Sequence, residues 1–334
     1  MKKIINHPDS IVDEMVEGIA LSFPSDYERV NKENALTYKN RNKSKVSIVI
    51  GGGSGHEPIF FGFLGKGLAD GVAIGNMFTA PNPLLVVEAA KAVNNEKGII
   101  FLYGNHSGDL LNFGMATDLL RLDGVDVENI VVSDDIGSSD NMRREERRGV
   151  AGIVFVIKIL GAAAERGYSF LDCIRIGQKV NSRLYSLGVG IKPGINPLTG
   201  KPNFEIAEDK LEFGIGVHGE PGKNLIGLMT ADELSELIVN DLEKNSAFKE
   251  GSKVAVLING LGSFTLMEEL LVSRSVIKKI NNKGISVVDV IIGDYFTTND
   301  MSGFSVSILD IDDELIELYE DDYVMPFNQI GGKK

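Results

Sequence analysis

Ile48-Val49-Ile50-Gly51-Gly52-Gly53-Ser54-Gly55-His56-Glu57-Pro58 is the stretch whose reading decides the fold. A β-branched run enters a glycine cluster, and a histidine stands just beyond it. Glycine accepts positive φ and lets a ligand approach the backbone closely. Ser54 and the N–H groups of such a turn can donate to a hydroxyl, carbonyl or phosphate. His56 is suited to proton transfer near neutral pH. The pattern reads as a strand running into the mouth of an active site. It is not a P-loop, because no lysine follows the glycines. Nor is it a dinucleotide fingerprint, because His56 stands where the third glycine belongs. A tight turn whose histidine only packs is the competing reading.

On either side of this stretch, strand, polar loop and helix alternate. Residues 71–78 read as a strand and turn before a helix near 84–93. A strand over 98–103 runs into Gly104-Asn105-His106-Ser107-Gly108-Asp109, and a helical pattern covers about 110–122. A third strand, 129–133, ends at Asp134-Asp135, and helices follow near 148–166 and 169–185. This rhythm predicts an α/β fold with a largely parallel sheet and ligands at the carboxyl ends of its strands. The loops after 46–50, 99–103 and 130–133 then gather at one rim, and His56 and Asp109 share a site. Upstream, Pro8-Asp9-Ser10 caps a helix with an apolar face of Ile11, Val12, Met15, Val16, Ile19 and Ala20. Residues 24–45 are polar and read as loop-rich.

Glycine and proline crowd between Leu187 and Glu208. A domain boundary is placed there, giving an N-terminal α/β domain over 1–186 and a C-terminal α/β domain over 187–334. Residues 211–217 alternate like a strand and run into His218-Gly219-Glu220-Pro221-Gly222. A helix at 231–244, strand 253–258, helix 264–282 and strands 285–292 and 304–309 complete the second unit. The acidic run from Asp310 to Asp322 reads as a partly helical, solvated face.

The 334 residues are 43% hydrophobic, ample for two cores, yet hold no apolar run long enough to cross a membrane. The N-terminus lacks the pattern of a signal peptide, and the lone Cys173 has nothing to pair with. The expectation is a cytoplasmic protein. A net charge of −13 repels phosphate backbones and argues against direct nucleic-acid binding. Of the four histidines, His56, His106 and His218 each follow a strand in a glycine-rich turn, and His7 reads as a surface residue. Ligand pairs at short regular spacing are missing, so no metal site is expected. Asp109 reads equally as a cap for the helix from 110. Glu57 and Glu220 read as turn and supporting groups, and Arg143 to Arg148 as a charged loop.

Along nearly its whole length the chain resembles the DhaK-type dihydroxyacetone-binding subunits of dihydroxyacetone kinase. The matching stretches are Gly51 to Pro58, Phe78-Thr-Ala-Pro81, Gly108-Asp109-x-x-Asn112-Phe113, Asp134-Asp135, Arg147 to Gly152, Gly161 to Gly167, Gly214 to Gly222, Leu261-Gly262 and Asp300 to Phe304. The resemblance implies that His218, as neutral imidazole, holds dihydroxyacetone as a covalent hemiaminal. It implies that Gly53, Ser54, Gly55 and His56 hold the substrate hydroxyls, with Asp109 accepting from one of them. In family kinases the residues matching His56 and Asp109 activate the terminal hydroxyl. It also implies a homodimer without nucleotide, metal or other cofactor, served by a separate nucleotide-bearing subunit.

The sequence departs from the kinase pattern at three places. Gly104 replaces a lysine, and Asn76 and Gly114 replace acidic residues. An ammonium at position 104 would stabilise charge during phosphoryl transfer. The groups for capturing a ketone survive while several for transfer do not. The leading expectation is therefore a non-enzymatic, ligand-sensing coactivator of a TetR-type regulator, as some DhaK-like paralogues are. The alternative is a working kinase subunit.

Overall fold

The computed structural model describes residues 3–139 and 141–328. The chain divides into two compact units, and each is α/β. Among the described residues, the first holds 3–131, 156–178 and 317–328, and the second holds 132–155 and 179–316.

The first unit is built on a six-stranded sheet. In chain order it carries α1 (Ile11–Ser22), β1 (Tyr27–Arg29), β2 (Ala35–Tyr38), β3 (Ser47–Ser54), β4 (Gly71–Met77), α2 (Pro83–Val93), β5 (Ile99–Gly104), α3 (Ser107–Leu122) and β6 (Val127–Val132). The strands lie in the order β1-β2-β4-β3-β5-β6. β3 is parallel to both β4 and β5, with Val49 opposite Gly71 and Phe101. Ile48, Val49 and Ile50 are fully buried, as a strand covered on both faces requires. Pro83 opens α2 behind Asn82, whose side chain accepts from the Leu85 N–H at 2.9 Å. Residues 24–45 are not simply loop. β1 and β2 pair antiparallel, β2 adds antiparallel to β4, and Tyr27, Leu36 and Tyr38 are buried. Segments of this length show no period in sequence and become strands because a sheet edge receives them.

α4 (Ile153–Glu165) and α5 (Phe170–Ser182) follow, and then β7 (Leu184–Lys192), β8 (Lys210–Phe213), β9 (Asn224–Gly227), α6 (Ala231–Lys244), β10 (Lys253–Gly260), α7 (Leu266–Asn282), β11 (Ser286–Gly293), β12 (Ser302–Asp310) and α8 (Asp313–Tyr319). The second sheet has the order β11-β10-β12-β7-β8-β9. Only its β10–β11 pair is parallel; the other recorded pairs are antiparallel. Ile238, Leu242, Val272, Val276 and Ile280 of α6 and α7 share a core with Val254, Val256, Ile258, Val306 and Ile308.

The expected boundary between 186 and 187 falls inside β7. The units instead interleave, and the chain passes between them within β6, α4, α5 and α8. Glycines at 188 and 190, read as marking the start of the second domain, belong to a strand packed closely by Ile215. A Cβ on Gly188 would lie 2.7 Å from the Ile215 carbonyl oxygen, and one on Gly190 would lie 2.6 Å from the Ile215 side chain. The strand expected over 211–217 ends at Phe213, because Gly214 turns the chain at φ +89°. The acidic run after Asp310 is more than a solvated face: Leu315 and Leu318 of α8 are fully buried.

Candidate functional site

In the first unit the glycine cluster leaves β3 against the turn that follows β4. The Phe78 N–H donates to the Ser54 carbonyl at 2.8 Å, and the Ser54 hydroxyl donates to the Gly75 carbonyl at 2.6 Å. Gly53 backs onto this turn so closely that a Cβ would stand 2.7 Å from the Thr79 nitrogen. Gly55 has φ +97°, and its N–H donates to the Glu57 carboxylate at 3.0 Å. Burial raises the Glu57 carboxyl above its ordinary value, against the pull of backbone hydrogen bonds. His56 is 2% exposed, with its ring edge-on to Phe78 at 5.3 Å between centroids. The expected strand running into a glycine turn is therefore present here.

Asp109 lies at the carboxyl end of β5, the strand adjacent to β3. The helix there starts earlier than its apolar period indicates. His106 is the N-cap of α3 and Asp109 is the third helical residue, so it is not the cap. A carboxylate in the first turn is favoured by the helix dipole. Its charge is felt by Tyr103, whose phenol is pushed up to about 12, first by burial and then by Asp109. Gly104 ends β5, and Asn112 of α3 donates to the Pro81 carbonyl at 2.9 Å. Asn76 is exposed, and a Cβ on Gly114 would meet nothing within 4 Å.

His218 lies in the second unit, in the turn after β8. The Gly216 N–H donates to the Glu220 carbonyl at 3.0 Å, and Thr298 donates its hydroxyl to the Val217 carbonyl. The His218 N–H donates to Glu220 Oε2 at 2.8 Å, and its ring Nδ1 lies 2.9 Å from Glu220 Oε1. Burial would raise the Glu220 carboxyl, but the hydrogen bond and charge of His218 outweigh it and hold the group well below the usual carboxylate range. An ionised carboxylate only accepts, so Nδ1 carries the proton of this contact. The ring is 30% exposed, open enough to meet a solute.

Supporting groups surround this turn, and one pair reads differently in sequence. Glu220, read as a turn and supporting group, does support the site: its carboxylate contacts both the His218 N–H and the ring Nδ1. Arg147 and Arg148, read as charged loop, are drawn inward: Arg147 is fully buried and Arg148 pairs with Asp135 at 2.7 Å. Burial pushes the Asp135 carboxyl up to about 6, with the Arg148 charge pulling against it. The neighbouring Asp134 accepts from the Val150 and Gly152 N–H groups at 2.8 and 3.0 Å and from the Ser186 hydroxyl. The Asp134-Asp135 pair at a strand end was the available signal for this inward charge.

A family model described as the Dak1 domain matches residues 17–327. The chain is 40% identical over 314 residues to a PTS-dependent dihydroxyacetone kinase subunit DhaK of Listeria innocua, covering 94% of this chain and 95% of the relative. It is 35% identical over 314 residues to the DhaKLM operon coactivator DhaQ of Lactococcus lactis, covering 93% and 95%. A solved structure of a dihydroxyacetone kinase operon co-activator, Dha-DhaQ, superposes with a TM-score of 0.85 at 33% identity, over 92% of this chain and 94% of that one.

Proposed function

The chain belongs to the Dak1 domain family, and on that premise we propose that it captures dihydroxyacetone on His218 and signals its presence to a TetR-type transcription regulator. The observation that carries the capture is the contact of His218 Nδ1 with the Glu220 carboxylate at 2.9 Å, which orients the ring so that its other nitrogen, Nε2, serves as the nucleophile. Nε2 gives its lone pair to the ketone carbon, and the C=O π pair moves to oxygen as an alkoxide. Glu220 stabilises the positive charge that the ring then carries. Loss of the Nδ1 proton and protonation of the alkoxide complete the addition of N–H across C=O. The family resemblance assigns the hydroxyls to the Gly53 and Gly55 backbone, Ser54 and His56, with Asp109 accepting from one of them. Glycerol lacks the carbonyl and is excluded from the bond. The chain itself takes no nucleotide or metal in this reading.

The absence of an ammonium at Gly104, at the end of β5, favours a receptor over a phosphotransfer subunit. For sensing, the liganded form must bind the regulator better than the empty form. The second reading, a kinase subunit, is favoured by the 40% identity to DhaK against 35% to DhaQ. The test mixes the protein with a nucleotide-bearing partner subunit, its phosphoryl donor and dihydroxyacetone. The sensor reading expects turnover at least about 100-fold below that of a DhaK subunit, as loss of a key electrostatic group does. It also expects ligand-dependent retention of the regulator. Turnover equal to DhaK would establish the kinase reading instead. An unmodified His218 in crystals grown with excess ketone would overturn both.

A further inference from the structure

Four of the nine residues from Gly214 to Gly222 are glycine, so the turn that carries His218 has little stiffness of its own. The Gly216 N–H donates to the Glu220 carbonyl at 3.0 Å, and the Gly219 N–H donates to the Gly216 carbonyl at 3.1 Å. These bonds shape the turn without tying it to the rest of the unit. A cavity of about 10 Å³ borders Ile215, Gly216 and Val217, with Leu261 and Phe296 also in its lining, and leaves the backbone room to shift. Covalent capture does not tolerate such slack. Bond formation needs the reacting atoms about 3–3.5 Å apart and aligned, and a displacement of about 1 Å costs on the order of 100-fold in rate.

Two side chains from distant parts of the chain supply what the turn lacks. Arg148, 66 positions before Gly214, donates from Nη2 to the Gly214 carbonyl at 3.0 Å. Its Nε donates to Asp135 Oδ2 at 2.8 Å, its backbone N–H donates to the Ser138 hydroxyl at 3.0 Å, and Asp135 is fully buried. Thr298, 81 positions after Val217, donates its hydroxyl to the Val217 carbonyl, the one directly before His218. Thr298 is itself fully buried; its N–H donates to the Leu261 carbonyl at 3.0 Å, and its carbonyl accepts from the Met301 N–H at 2.9 Å. Each donor is thus fixed before it reaches the turn.

Resting on the reading of His218 as the ketone-capturing residue, we propose that Arg148 and Thr298 are positioning residues that clamp the His218 turn at the Gly214 and Val217 carbonyls and so set where the imidazole meets the ketone. Both act through backbone oxygens, one at the root of the turn and one beside the histidine. A planar guanidinium suits the root, because its fork holds the Asp135 carboxylate and the Gly214 carbonyl at once. A hydroxyl suits the second point, because it satisfies a carbonyl in a buried place without bringing a charge there.

The test pairs Thr298→Val, which keeps the outline of the side chain and removes the donor, with Thr298→Ser, which keeps the donor. Two readouts are taken on the full-length protein. The first is hydrogen exchange, without ligand, of the Gly216, His218 and Gly219 amides, each hydrogen-bonded inside the turn. The second is binding of dihydroxyacetone labelled with 13C at the ketone carbon, whose signal leaves the carbonyl region for a protein-bound tetrahedral position when the bond forms. Thr298→Val is expected to exchange these amides about tenfold faster while β8 and β9 keep their protection. It is expected to bind the ketone about tenfold more weakly, with a smaller tetrahedral signal. Thr298→Ser is expected to stay within about threefold of wild type in both readouts. Arg148→Gln is expected to behave as Thr298→Val does; should it not fold, the Thr298 pair decides. A folded Thr298→Val variant with unchanged exchange, or with undiminished capture, would overturn the proposal, as would a Thr298→Ser variant no better than Thr298→Val. A wild type that gives no tetrahedral signal would remove the proposed function, and faster exchange in Thr298→Val would still support the clamp on the turn.

Discussion

Glu269, in the first turn of α7, is 2% exposed, and its carboxyl faces another. A Cβ on Gly260 would lie 2.4 Å from Glu269 Oε1 and 2.1 Å from Asp294 Oδ1, so the two side chains crowd one spot. Burial first, and then the Asp294 charge, push the Glu269 carboxyl up to about 7 from 4.5. A carboxyl raised in the folded state binds more protons folded than unfolded. Its stabilising contribution is full below the unfolded value near 4.5 and is lost as pH rises through about 7. Glu269→Gln is therefore expected to be more stable than wild type at pH 8 by about 1–3 kcal/mol. The difference should fade as pH falls to about 4.5. Urea titrations of both proteins at the two pH values check this; a variant less stable at pH 8 contradicts it. Similar local strings hide different roles at this scale. Glu57 follows His56 directly and accepts from the Gly55 N–H, whereas Glu220 lies two residues beyond His218 and sits 2.9 Å from its ring Nδ1.

Among the elements, α6 and α7 close one face of the second sheet, and both begin with reciprocal capping. Thr230 accepts from the Glu233 N–H at 3.3 Å, while Glu233 accepts from the Thr230 N–H at 2.8 Å; Thr265 and Glu268 repeat the arrangement. Thr230→Ala removes one half of a box and is expected to cost about 1 kcal/mol of stability. Its effect on ketone capture should be negligible, because the box touches nothing in the His218 turn. Chemical denaturation and calorimetric binding on one sample measure both. Helix interiors were legible because apolar period and caps are local. The start of α3 was not, because Ser107, Gly108 and Asp109 precede the periodic stretch and are helical anyway. β7 was hidden for a different reason: its glycines are required by Ile215, which arrives from elsewhere in the chain.

At the level of the whole molecule, 47 acidic residues face 34 basic ones. Such a chain gains nothing from counterion release on DNA. The protein alone is expected not to retard duplex DNA in a gel at about 0.15 M salt. Any effect on operator DNA should then require the regulator and, in the sensor reading, the ketone. Retardation by the protein alone would remove the reason for assigning the regulator as the DNA-contacting partner. Among the described residues no helix is long and apolar enough to cross a membrane. The two-unit α/β architecture was legible from the alternation of apolar runs and glycine-rich loops, but the division at 186/187 was not. Glycine and proline density marks where the backbone must bend or approach closely, and both also happen inside a packed sheet.

By itself the sequence determined that β-branched runs enter glycine-rich turns and that two of those turns bear His56 and His218. Each follows from neighbours along the chain, through steric limits on φ and the preference of β-branched residues for strands. Only the tertiary structure decided that Arg148 reaches the Gly214 carbonyl, 66 positions away, and that Glu220 and the guanidinium share the space above Gly216. The order of strands in a sheet sets such meetings, and that order is fixed by packing between segments rather than by the residues within any one of them.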